Sequence, residues 1–78
     1  MTDVKITKTL DLKGLLCPMP IVKMAKAIKE IQPGEVLEAY ATDPGVMADI
    51  PAWCRTTGNV LITLEKQDKQ FHFVVKRS

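Results

Sequence analysis

The change of apolar period at Cys17-Pro18-Met19-Pro20 constrains this chain more than any other feature. Before it, Val4, Ile6, Leu10 and Leu12 alternate with Lys5, Thr7, Thr9 and Asp11. That two-residue period predicts a half-buried strand, with Lys8 the one break in its inner row. After it, Ile21, Met24, Ala25, Ile28 and Ile31 recur at helical spacing as one apolar stripe. A strand therefore hands over to a helix, predicted over 18–31, within a few residues. Lys13-Gly14 ends the strand, and the prolines mark the helix start. Pro18 suits the first helical position, where a missing N–H costs nothing and φ is already helical. Cys17 then falls at or beside the N-cap, facing the unpaired N–H groups of the first turn and the positive end of the helix dipole. Both favour thiolate, so the expectation is a thiol pKa below that of a free cysteine. The alternative is an inert core cysteine, because free cysteines are among the most buried residue types.

The remaining periods complete the order. Leu37, Ala39 and Ala41 alternate with Val36, Glu38, Tyr40 and Thr42, which predicts a second strand over 35–42. Gln32-Pro33-Gly34 separates it from the first helix. Thr42-Asp43-Pro44-Gly45 is a turn in which Asp43 caps backbone N–H groups. A second helix follows over 46–57, with Val46, Met47, Ile50, Trp53, Cys54 and Thr57 as its stripe. Pro51 belongs to its first turns, with a bend or with Asp49 as a second cap. Cys54, on that stripe, reads as core. Val60, Ile62 and Leu64 alternate with Leu61, Thr63 and Glu65, and Phe71, Phe73 and Val75 alternate with His72 and Val74. The polar turn Gln67-Asp68-Lys69-Gln70 joins these two strands as a hairpin. His72 reads as a solvated or hydrogen-bonded histidine rather than a base.

The order β-α-β-α-β-β with right-handed crossovers predicts an α/β two-layer sandwich, a four-stranded mixed sheet with both helices on one face. The 78 residues suffice for one small domain, taken as 1–78. Cys17 and Asp43 both leave parallel strands at their carboxyl ends, where sites form in open α/β sheets. They should meet in space.

Composition narrows the function. A net charge of +2 is too small to argue for nucleic acid, and 5% aromatic residues offer no base-stacking platform. Direct nucleic-acid binding is not expected. No run of about 18 apolar residues crosses a membrane. The first residues lack the order of a signal peptide, so the expectation is cytoplasmic. Cys17, Cys54 and His72 supply neither a disulfide framework nor a zinc site, and no metal or cofactor is called for. Lys23, Lys26 and Lys29 form a basic face on the first helix, a solvated surface or a contact for an acidic partner.

The run Leu10-Asp11-Leu12-Lys13-Gly14-Leu15-Leu16-Cys17-Pro18-Met19-Pro20 resembles the C-P-x-P signature of the TusA family of sulfur carriers, also called SirA-like. The resemblance continues at Pro33-Gly34-Glu35, Asp43-Pro44, Asp49-Ile50-Pro51 and Cys54. It implies the same two-layer fold and a sulfurtransferase or sulfur carrier. Cys17 matches the motif cysteine, which accepts sulfane sulfur as a persulfide. Pro18, Pro20 and Asp43 would support the loop and helix start, and Lys23 and Lys26 would touch partners. A second cysteine is not essential to the carrier role. The implied donor is a cysteine desulfurase or a rhodanese-like protein. The implied acceptors are relay proteins serving tRNA wobble-uridine thiolation, molybdenum cofactor assembly or sulfur oxidation. The rival class is a regulatory or RNA- or protein-binding module without sulfur chemistry.

Overall fold

A computed structural model describes residues 5–78. Its elements are β1 (Ile6–Leu12), α1 (Met19–Ile28), β2 (Val36–Ala41), α2 (Val46–Thr57), β3 (Val60–Gln67) and β4 (Gln70–Lys76). Val4, expected to open the first strand, lies outside the described residues. The strands form one sheet in the order β1-β2-β4-β3. β1 pairs parallel with β2, while β4 lies antiparallel between β2 and β3. The mixed sheet with two helices is the predicted two-layer α/β sandwich.

Both helices feed one core. Met24, Ala27 and Ile28 of α1 and Val46, Ile50 and Cys54 of α2 pack with Leu12, Leu37, Ala39, Ala41, Phe71, Phe73 and Val75. The alanines of β2 let the helices come close to the centre of the sheet. Helix α1 stops at Ile28, earlier than the apolar stripe suggests. Ile31 is still buried, reached through a turn in which Glu30 N donates to Ala27 O at 2.9 Å. The one polar break in β1 is also resolved: Lys8 Nζ lies 2.6 Å from Glu30 Oε1. Helix α2 ends on Gly58, whose φ of 82° puts it in the left-handed region that favours glycine. Met47, expected on the apolar stripe of α2, is 42% exposed.

The alternation along β3 leaves open which row faces inward, and the pairing of the strand decides it. Pairing with β4 shifts register between Leu61 and Thr63, a bulge that sets two residues against one. Leu61 and Leu64 consequently face the core, and Val60 and Ile62 are left exposed. Strict alternation cannot survive an inserted residue.

On the face away from the helices, His72 bridges two acids. Its Nε2 is 2.7 Å from Glu38 Oε2, its Nδ1 is 3.2 Å from Glu65 Oε1, and its ring stacks on Tyr40. The hydrogen bond from His72 holds the Glu38 carboxyl below the usual carboxylate range, with help from Thr9 and against the effect of burial. A carboxylate shifted down stabilises the fold above its unfolded pKa and loses that contribution as pH falls through the folded value. The urea midpoint should therefore fall as pH drops from about 5 towards 3. Glu38→Gln should show a smaller fall, measured by urea titration at both pH values. An identical fall in the variant would remove Glu38 from the account.

Candidate functional site

The site is built from the two loops that leave β1 and β2 at the same sheet edge. After β1, Gly14 turns the chain with φ 84°, and its N–H donates to Thr42 Oγ1 at 2.9 Å. The loop thus leans on the end of β2 before it reaches Cys17. There the Cys17 amide donates to Asp43 Oδ2 at 2.8 Å, while Asp43 Oδ1 accepts from Gly45 N at 3.1 Å. One side chain binds its own turn with one oxygen and the cysteine loop with the other. The meeting of Cys17 and Asp43 is present in the structure, and Asp43 acts there through backbone amides.

The helix start differs from expectation by one residue. Met19 is the first helical residue, Pro18 occupies the N-cap, and Pro20 sits buried at the second helical position. Pro20 uses the tolerance for a missing N–H, since the first four amides of a helix have no intrahelical acceptor. Cys17 precedes the cap, joined to Pro18 by a cis peptide bond. Its side chain is exposed.

The expected fall in thiol pKa does not occur. Cys17 Sγ donates to Asp49 Oδ2 at 3.4 Å. That hydrogen bond raises the thiol pKa, and partial desolvation and the charges of Asp49 and Asp43 push the same way. Both carboxylates act against the thiolate, because a like charge disfavours the anion directly. Their proximity is also visible at Gly45, where a Cβ would meet Asp43 Oδ2 at 3.4 Å and Asp49 Oδ2 at 3.5 Å. Asp49 is the site residue that sequence reasoning missed: it reads there as a helix cap and as part of the Asp49-Ile50-Pro51 resemblance, not as a neighbour of the thiol. A signal was available: Asp49 stands in the first turn of a helix that starts at the same sheet edge as Cys17.

The surroundings of the thiol are apolar on one side and basic further along. Leu16, Met19 and Val22, each three residues from the next, are 73%, 39% and 50% exposed. Leu16 lies on the loop just before Cys17, while Met19 and Val22 are three apart on α1 and share its exposed side. Lys23 and Lys26 do not touch Cys17. They line a groove of about 320 Å³ between α1 and β1, with Lys8, Leu10, Leu15 and Glu30. Lys8 is neutralised by Glu30, whereas Lys23 and Lys26 have no salt-bridge partner among the described residues. Cys54 is buried, and burial pushes its thiol pKa up.

A family model described as sulfurtransferase TusA matches residues 8–77. The sulfur carrier protein TusA of Allochromatium vinosum is 41% identical over 88% of this chain and 91% of its own length. YrkF of Bacillus subtilis, named as a candidate sulfur carrier, is 48% identical over 92% of this chain. The chain spans only 40% of YrkF, and 40% of a similar Aquifex aeolicus protein. The crystal structure of a SirA-like protein from Desulfitobacterium hafniense superposes with a TM-score of 0.77 at 20% identity, covering 90% of this chain and 96% of that one. That likeness is one of fold.

Proposed function

This chain belongs to the TusA sulfurtransferase family, and from that premise we propose that it is a sulfur carrier working through a persulfide on Cys17. The observation that carries the reading is the placement of Cys17: exposed, on a loop clasped by Asp43, at the start of α1. A sulfur passed between proteins must be reachable from outside, and its loop must hold one geometry for successive partners. The donor is a protein persulfide of the cysteine desulfurase or rhodanese-like kind. The acceptor is the thiol of a further relay protein. No cofactor takes part, because the sulfur moves between thiols.

Leu16, Met19 and Val22 support the reading as a surface that excludes water where the donor's sulfur arrives. Lys23 and Lys26 support it as a positive flank that steers an acidic partner. The test is to load the protein with a cysteine desulfurase and cysteine, then to add a thiol acceptor. Intact mass should rise by one sulfur atom and return to its starting value. No rise with any persulfide donor would end the proposal.

The charge contribution is separable. Lys23→Glu combined with Lys26→Glu should slow loading by a cysteine desulfurase about tenfold at low salt, less at high salt. Loading by glutathione persulfide, a small donor, should be unchanged. Equal rates with the enzyme would assign the lysines to solvent.

A further inference from the structure

We infer that Asp49 is a further catalytic residue of this site, the base that takes the Cys17 proton while sulfur is loaded. The inference rests on the carrier reading above and extends it by dividing the work between two carboxylates. Asp43 has each oxygen engaged by a backbone amide, at 2.8 Å and 3.1 Å. Such an acid is a clamp. Asp49 instead directs Oδ2 at the reacting atom itself, 3.4 Å from Sγ, within the longer hydrogen-bond reach of sulfur. It is half-buried in the first turn of α2, so a helix fixes its position.

The same contact raises the thiol pKa. The resting sulfur is therefore held as S–H at neutral pH, and attack must shed a proton. The acceptor already in place is Asp49. Loading begins with Cys17–SH, the Asp49 carboxylate and a donor persulfide R–S–SH. A bond forms between Sγ and the donor's outer sulfur, and the donor S–S bond breaks. R–S⁻ leaves with that electron pair, and the thiol proton passes to Asp49. The products are Cys17–S–SH, a carboxylic acid and a thiolate, with one negative charge on each side and no net redox change. Unloading runs the reverse course: an acceptor thiolate attacks the outer sulfur, and Sγ leaves with the electron pair and recovers its proton from Asp49.

The experiment measures two rates against pH for the wild type, Asp49→Asn and Asp49→Ser. One is alkylation of Cys17 by iodoacetamide, followed by peptide mass; the other is loading by glutathione persulfide. Alkylation needs only thiolate, so removing the Asp49 charge should shift its profile to lower pH and speed it several-fold at pH near 7. Loading at the same pH should slow about tenfold, the low end for general bases because a thiolate is a strong nucleophile unaided. Opposite movement of the two rates is the signature, since a merely structural defect moves both together. Rates that rise together, fall together or stay unchanged would overturn the role. Failure of the wild type to load at all would sink the carrier reading and the base with it. Normal loading in both variants would sink only the base.

Discussion

Cys17→Ser is expected to take up no sulfur at all from a persulfide donor, while Cys54→Ser takes it up like the wild type. The difference follows from position rather than from residue type. Cys17 is exposed, and Cys54 is 4% exposed within the core of α2 and the sheet. A persulfide requires a sulfur–sulfur bond, which a serine hydroxyl cannot form however well it is placed. The backbone clasp from Cys17 N to Asp43 survives the substitution, so the Cys17→Ser loop should keep its shape. Cys54→Ser instead buries a hydroxyl among apolar side chains, at a cost of about 1–3 kcal/mol. Intact mass after incubation with glutathione persulfide reads the first effect, and urea unfolding reads the second. A sulfur adduct that persists in Cys17→Ser but vanishes in Cys54→Ser would reverse the assignment.

The second large effect is on the fold. Phe73→Ala should lower stability by about 3–5 kcal/mol. Phe73 is fully buried in β4, opposite Ala39 of β2 and Leu64 of β3. Because β2 carries alanines facing the helices, Phe73 fills volume that its neighbours do not. A domain of this size has about 4–12 kcal/mol of total stability. The variant should therefore unfold at a much lower urea concentration, or be largely unfolded without it. A loss below about 1 kcal/mol would mean that the helices settle into the vacated space.

The element order was legible because the apolar period changes cleanly at Pro18–Pro20 and again at Asp43-Pro44. Leu37, Ala39 and Ala41 could be assigned inward because nothing interrupts their alternation. The inward row of β3 was not legible, because a bulge changes faces without leaving a glycine or proline in the sequence. The site was legible as far as backbone geometry governs it. The strand-to-helix handover and the proline signals put Cys17 beside a helix start and Asp43 within reach. The direction of the thiol shift was not legible, because it depends on where the Asp49 side chain points. A residue 32 positions from Cys17 enters the site only through the packing of α2. The structure thus turns the helix-dipole expectation around: the helix start supplies position, and the acids set the protonation state.

The clasps described above have a kinetic meaning. Gly14 is held by Thr42 and Cys17 by Asp43 across 28 and 26 residues of chain, the whole span of the first crossover. Neither link is available to a nascent segment containing β1 and α1 alone. Parallel pairing of this kind carries its loop-closure cost before any contact repays it. The organised thiol should accordingly be a late acquisition of folding, and a chain caught before β2 docks would present its cysteine as an ordinary one.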